Sequence, residues 1–324
     1  MKRIAAVMLA VCLLLAGCGG AAEQTQSERT VVRLGGLKGP TSMGMVKLLE
    51  DDAQGLTVND YEFTMAAMAD ELTPKLLRGE LDILAVPTNL AAILGNNTDG
   101  AVKLLAVNVL GLLYICEKGE SVRTLSDLRG RTVYATGKGS MPEFALNYLL
   151  QSNGLEPGRD VTVEWKSEPT EVVALLSQAE GGLAMLPQPF VTVAQGKVGG
   201  LRIALDLTEQ WDALDTGSRL LTGALLVRSA FAEEHPEAVA AFLSEYAAST
   251  DFVNGHPAEA APMVESYGIV TAQIAEKAIP LCNMVCIGGA EMAELCEGYF
   301  GVLYSQEPAS VGGKLPPRDF YYGS

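Results

Sequence analysis

From residue 31 onward, short apolar runs alternate with longer stretches in which apolar residues recur every three or four positions. The first pattern reads as buried strand and the second as amphipathic helix. Strands are expected over 31–34, 61–65, 81–86 and 102–107, with helices over 42–50, 71–79 and 89–94 between them. Thr41 or Ser42 caps the first helix, and Pro74 falls in the first turn of the second. Another extended run follows at 112–116. This alternation predicts an α/β architecture, a mostly parallel sheet with helices on both faces.

A second unit starts near Glu117. Strands are expected over 131–135, 161–165, 183–186 and 201–205, with helices over 141–151 and 169–178 and a helix start at 190–194. From Thr222 the pattern is mostly helical, with one strand at 225–227 and helices over 236–248, 257–266, 271–278 and 289–304. No self-similarity of solenoid period occurs.

The first residues have a different character. Lys2-Arg3 precedes an uncharged apolar run over 4–15, shorter than the ~20 residues a membrane-spanning helix needs and suited to the core of a secretory signal. It ends in Leu15-Ala16-Gly17-Cys18, which resembles the cleavage box of bacterial lipoproteins. On that reading residues 1–17 are a signal peptide and Cys18 carries lipid, each buried CH₂ adding ~0.8 kcal/mol of membrane attachment. An ordinary cleaved signal with Cys18 incidental is the alternative. Residues 18–30 are small and polar and read as a flexible tether.

Composition narrows the function classes. A chain of 324 residues with 48% apolar and 19% charged side chains can build about two domains with sizeable cores. Lys and Arg total 23 against 39 Asp and Glu, for a net charge of −16, and no basic cluster follows Lys2-Arg3. That argues against nucleic acid as a partner, since phosphate contacts need clustered cations. Two His and six scattered Cys leave little for a metal cage. Cys12 leaves with the signal. Cys116 falls in a strand, and Cys282, Cys286 and Cys296 read as buried free thiols, because a Cys282–Cys286 disulfide within a helix would be strained.

Several short motifs share one order with a known family. Thr124-Leu125-Ser126-Asp127-Leu128-Arg129-Gly130-Arg131-Thr132-Val133 is similar to the entry to the second lobe of type II periplasmic binding proteins. Within them, the chain resembles the nitrate/sulfonate/taurine and thiamine-precursor branch of ABC-transporter solute-binding lipoproteins. Gly137-Lys138-Gly139-Ser140 stands where that branch starts a helix. Glu168-Pro169-Thr170-Glu171-Val172-Val173-Ala174-Leu175 resembles a following helix, and Pro187-Gln188-Pro189-Phe190 resembles a turn that usually begins with Glu. Residues 231–239, which include His235-Pro236, resemble the return to the first lobe. The resemblance covers about residues 31–270; the C-terminal tail matches none of these motifs. It implies a two-lobe periplasmic-binding-protein-like II fold with two crossover hinge segments, lobe one holding 31–115 and 222–324 and lobe two 116–221.

Open parallel sheets bind ligands beyond the carboxyl ends of their strands, so candidate contacts are sought there. Lys38-Gly39-Pro40-Thr41-Ser42-Met43 links the first strand to its helix and offers N–H groups to an anion or carbonyl, or is a plain cap. Gly137-Lys138-Gly139-Ser140 is the matching loop of lobe two; its spacing is not that of a P-loop. Thr88 and Asn89 end the third strand and suit either ligand hydrogen bonds or capping. Asn108 interrupts an apolar run, Gln188 offers an uncharged amide, and Trp211 offers a ring for stacking or packing. Lys38 and Lys138 favour an anion if they point inward.

The resemblance implies an extracytoplasmic, lipid-anchored, monomeric solute-binding protein of an ABC importer. It would capture a heterocycle or small organic anion and hand it to the permease and ATPase subunits, with no cofactor, metal or catalytic residue. The rival is an enzyme on the same fold acting on a thiamine-like heterocycle with Cys116 as nucleophile; a sensor subunit is a third reading.

Overall fold

The structure is a computed structural model and describes residues 29–324. The expected signal peptide, Cys18 and nearly all of the tether lie outside the described residues. The strands are β1 (Val31–Leu37), β2 (Asp60–Ala66), β3 (Ile83–Pro87), β4 (Val102–Leu110), β5 (Leu113–Lys118), β6 (Thr132–Thr136), β7 (Thr162–Lys166), β8 (Gly182–Pro187), β9 (Leu201–Asp206), β10 (Leu221–Arg228) and β11 (Met284–Ile287). They form two sheets, in the orders β11-β4-β10-β3-β1-β2 and β7-β6-β8-β5-β9. The helices are α1 (Pro40–Met43), α2 (Val46–Ala53), α3 (Ala69–Leu77), α4 (Thr88–Asn97), α5 (Met141–Ser152), α6 (Pro169–Gln178), α7 (Phe190–Lys197), α8 (Leu207–Asp212), α9 (Ser229–Glu234), α10 (Pro236–Gly255), α11 (Pro257–Ser266), α12 (Ala272–Ala278) and α13 (Gly289–Gln306).

The α/β class and the two flanked sheets are as expected, but the pairing is mixed rather than mostly parallel. β1 runs parallel to β2 and β3, whereas β10 is antiparallel to both β3 and β4 and β11 is antiparallel to β4. In the second sheet β6 runs parallel to β7 and β8, while β5 is antiparallel to β8 and β9. The reason is where the chain changes sheets. It leaves β4 through residues 111–112 and enters β5 at the edge where β8 ends, Leu113 pairing with Pro187. It returns through 207–220 and enters β10 where β3 ends, Gly223 pairing with Pro87. A strand that starts at the carboxyl edge of a sheet has to run against the strands that finish there.

The two crossing segments touch. A Cβ at Gly111 would lie 2.2 Å from Thr208 Oγ1 and 2.7 Å from the Leu220 side chain, so only glycine lets them approach this closely. Asn283 braces the same place: its Nδ2 donates to Gly111 O at 2.6 Å, and its carbonyl accepts from the Leu110 N–H at 3.0 Å. One apolar cluster runs through the junction, joining Val86 and Leu110 of the first sheet to Leu113, Ile115 and Met185 of the second.

The first two of four local differences have identifiable causes. The helix expected over 42–50 is broken between α1 and α2, where α10 packs so tightly that a Gly44 Cβ would meet Tyr246 Oη at 2.8 Å. Ser249 spans the break, its hydroxyl donating to Gly44 O at 2.6 Å and accepting from Leu48 N–H at 2.9 Å. Pro74 lies inside α3 rather than in its first turn, because Glu71 Oε1 accepts from the Met68 N–H at 3.0 Å and starts the helix earlier. β11, α8 and α9 are additional to the expected elements. The C-terminal tail is a strap: Tyr321 bridges to Leu104, the Tyr322 N–H donates to Leu104 O at 2.9 Å, and Phe320 and Tyr321 are buried.

Glu117, at the far end of β5, is 2% exposed. Burial alone would raise its pKa. The Ser121 hydroxyl, the N–H groups of Val122 and Ser121, and the Arg202 guanidinium override burial and hold it at about 2, below its ordinary 4.5. A depressed carboxylate stabilises the fold above its unfolded pKa and ceases to as pH falls through its folded one. We therefore expect about 2 kcal/mol, after solvent screening, to be lost between pH 4.5 and about 2. Urea melts at pH 7 and pH 3 should show the loss in wild type and a smaller difference in Glu117→Gln.

Candidate functional site

Each sheet contains the same arrangement: the second strand, then the first, then the third, in the orders β2-β1-β3 and β7-β6-β8. Strand order reverses between the first and third strands, and the crevice beyond the carboxyl ends of these two is where open α/β sheets take ligands. In the first sheet this point lies between the Lys38–Met43 loop and Thr88. In the second it lies between Gly137–Ser140 and Gln188. Both face the edge at which the chain crosses between the sheets.

The loop after β1 is largely spent on itself. Ser42 Oγ donates to Leu37 O at 2.6 Å, and its N–H donates to Gly39 O at 3.1 Å. Lys38 is exposed, and Gly39, Pro40 and Thr41 are half-buried. Met43 is fully buried among Val46, Val109 and Leu112; the expectation of a ligand contact there is corrected, since its thioether fills the core. Asn108 is partly spent: it is fully buried on β4, its Nδ2 donates to Thr41 O at 2.9 Å and holds the loop in place, and its Oδ1 is left without a partner.

The loop after β6 is likewise closed. Gly137 takes a positive φ of 88° and accepts from the Ser140 N–H at 3.2 Å and hydroxyl at 2.7 Å. The Gly139 N–H donates to Glu143 Oε2 at 2.6 Å. Of the N–H groups sought at the two helix starts for an anion or carbonyl, few are free: α1 is a single turn, and Glu143 already occupies the Gly139 amide. Lys138 is exposed, and neither it nor Lys38 forms an ion pair among the described residues.

The third-strand ends differ. Thr88 is 1% exposed and Gln188 2% exposed. Gln188 Oε1 accepts from Thr192 Oγ1 at 2.9 Å, but Gln188 Nε2 and Thr88 Oγ1 have no partner. Thr222 Oγ1, on the strand beside Pro87, is also unpartnered. Asn89 is half-buried next to Thr88.

Trp211 is corrected from candidate stacking face to core. It is fully buried, its ring centroid lies 4.5 Å from Tyr148 and 5.8 Å from Tyr299, and its Nε1 donates to Ser218 Oγ at 3.0 Å. The accessible indole is Trp165, which sequence reasoning passed over. It ends β7 beside Gly137 and Lys138, lining with them, Lys166 and Ser167 a cavity of about 380 Å³. Its place at a strand end was the available signal. A second cavity of about 540 Å³ lies between α7 and α12, lined by Thr192, Val193, Lys197, Gln273, Ile274 and Lys277; Thr192 is the residue that donates to Gln188 Oε1.

Cys116 is fully buried, and burial pushes its thiol up to about 12. His235 packs on Phe231 and His256 on Phe252, at the two ends of α10. Cys282, Cys286 and Cys296 are free thiols, also raised by burial. Among the described residues no group of three His, Cys, Asp or Glu is placed to hold a metal, and no helix is long and apolar enough to cross a membrane.

The pattern that defines the NMT1-like family matches residues 43–267. Among solved structures, an ABC transporter protein from Parabacteroides distasonis is similar at 25% identity and a TM-score of 0.75, over 90% of this chain and 98% of that one. The periplasmic aliphatic sulphonate binding protein SsuA from Escherichia coli is similar at 16% identity and a TM-score of 0.71, over 90% and 92%. The periplasmic nitrate-binding protein NrtA from Synechocystis PCC 6803 follows at 19% identity and a TM-score of 0.53, over 76% and 69%. No curated protein matches the chain.

Proposed function

The chain belongs to the NMT1-like family, and from that premise we propose that it is the extracytoplasmic solute-binding component of an ABC importer. The observation that carries this is the pair of strand-order reversals, one in each sheet, opening on the edge where the chain crosses twice. A solute held there touches both halves, and closing around it completes hydrogen bonds that neither half satisfies alone. Residues 31–110 with 221–324 form one lobe and 113–206 the other, hinged at the Gly111 and 207–220 crossings, so the first boundary falls before β5 rather than after residue 115. The closed form is what a permease and its ATPase receive. Cys18 carries the lipid that keeps the chain on the outer face of the membrane, where it works as a monomer.

The contact set is Lys38–Thr41, Thr88, Asn89, Gly137–Ser140 and Gln188, with Trp165 added from the structure. It suits a heterocycle or small organic anion. The protein releases its solute unchanged and needs no cofactor. The reading as an enzyme on the same fold draws no support from Cys116, since a thiol near 12 is almost wholly protonated at neutral pH.

A thermal-shift screen of the chain from residue 18 onward against small anions and heterocycles tests the proposal. A solute at 100 times its Kd should stabilise the fold by ~2.7 kcal/mol and be recovered unaltered. Chemical turnover of the solute, or no shift with any compound, would overturn it.

A further inference from the structure

We propose that the C-terminal strap completes a second ligand site, at the far edge of the first sheet, and that this site takes a small organic cation bearing N–H donors, a primary ammonium or a guanidinium. It does not rest on the solute-capture reading: β4 begins beside it and ends at the crossing between the sheets, so the two sites lie at opposite edges. A cavity of about 390 Å³ opens between the end of α4, the start of β4, the end of α9 and the strap, and its polar lining is Asn96, Asp99, Lys103, Glu233, Lys314 and Asp319. That volume is within the ~300–1,000 Å³ of small-molecule sites. The walls are held in place. Phe320 packs so closely that a Gly95 Cβ would meet its ring at 2.4 Å, Ser229 Oγ donates to Gly100 O at 2.6 Å, and Lys103 Nζ donates to Asp319 O at 3.2 Å.

Asn96 is the buried member of the set. It is 8% exposed, and its Nδ2 donates to Val311 O and to Lys314 O, each at 2.6 Å. Both amide N–H bonds are thereby spent on the strap, and turning the amide over would set its oxygen against two carbonyls. The side chain lines the cavity, and the one polar atom it has not spent is Oδ1, which is buried and unpartnered. A buried acceptor left unmet is costly, so a donor is called for there. The surrounding charges give the sign. Asp99, Glu233 and Asp319 come from three separate segments; none of them forms an ion pair among the described residues, and neither do Lys103 and Lys314. Pairing each ammonium with a carboxylate would still leave one carboxylate and the amide oxygen. The chain neighbours Glu234 and Arg318 add one charge of each sign and leave that balance unchanged. A metal ion does not fit, since no group of three His, Cys, Asp or Glu among the described residues is placed to hold one. Acceptors spread around a cavity suit a cation whose N–H bonds point in several directions, three on an ammonium and five on a guanidinium side chain.

Four probes test this on the purified protein, by thermal shift and by hydrogen exchange of the strap: butylamine, agmatine, butyramide and butyrate. At least one of the two cations should raise the melting midpoint and slow exchange over residues 308–322, and the amide and the acid should do neither. Asp99→Asn and Glu233→Gln, which remove charge at exposed positions, should each weaken the cation about three- to tenfold, and together tenfold or more. Asparagine also tolerates the positive φ of 48° at position 99. Glu156→Gln, in the other half of the molecule, should leave the affinity unchanged, and the cation should leave Trp165 fluorescence unmoved. Silence of all four probes, preference for butyrate, or unchanged affinity in the double variant would overturn the inference and mean that water meets Asn96. Equal weakening by Glu156→Gln would overturn it too, since the attraction would then be to the net charge at large. So would a cation that perturbs Trp165 and leaves the strap unprotected. Each of these results would leave the solute-capture reading untouched.

Discussion

Replacing Asp82 by alanine should lower the stability by about 3 kcal/mol, one of the two largest effects expected in the molecule. Asp82 is fully buried where three strands of the first sheet meet at the edge opposite the site. Its Oδ2 accepts from the Arg33 backbone N–H at 3.0 Å and Nε at 2.8 Å, and its Oδ1 accepts from Arg33 Nη2 at 2.7 Å and Arg228 Nη2 at 3.1 Å. Its backbone continues the seam, donating to Arg33 O at 2.8 Å and accepting from the Arg228 N–H at 2.9 Å. One carboxylate thus ties β1, β3 and β10 together. Removing it leaves two guanidinium groups at one corner without the carboxylate that pairs them, Glu62 alone acting on Arg33 from further off. A midpoint lower by about 6–10 °C is the expected scale, and Asp82→Asn, which keeps an acceptor but not the charge, should fall between. Equal melting of Asp82→Ala and wild type would show that solvent replaces the carboxylate without cost.

Trp211→Ala should cost about 3–5 kcal/mol, the range for truncating a large buried aromatic, and Trp211→Phe considerably less. The indole fills the space between Tyr148 of α5 and Tyr299 of α13, where the two sheets share their core. Its role is to pack the second crossing, so the folded fraction of Trp211→Phe should keep wild-type solute affinity. Trp165 provides the contrast, since it lies at the cavity beside Gly137 and Lys138. Solute should therefore perturb the fluorescence of Trp165 in Trp211→Phe and leave that of Trp211 unchanged in Trp165→Phe. A tenfold loss of affinity in a stable Trp211→Phe would return that residue to the site.

Local pattern was enough for most elements. α6 and α11 fall on their expected residues because a proline opens each, and the strands are centred where short apolar runs are bounded by Gly, Pro or Asn. The edge at which the site is proposed was legible for the same reason, as it follows from which segments end strands. The sequence alone also settled the order of α and β segments and the motif order that pointed to the family. It did not settle strand direction, which depends on where the chain crosses from sheet to sheet, a relation between residues far apart such as Gly223 and Pro87. Nor did it separate Met43 and Trp211, which pack inward, from Thr88, Asn108 and Gln188, which keep unspent polar atoms at the strand ends. The same short polar or aromatic side chain serves as core, brace or ligand contact according to what surrounds it. Those surroundings come from helices brought up from far along the chain, such as α10, whose Val253 lies 210 residues from Met43, and α13, whose Tyr299 lies 88 residues from Trp211.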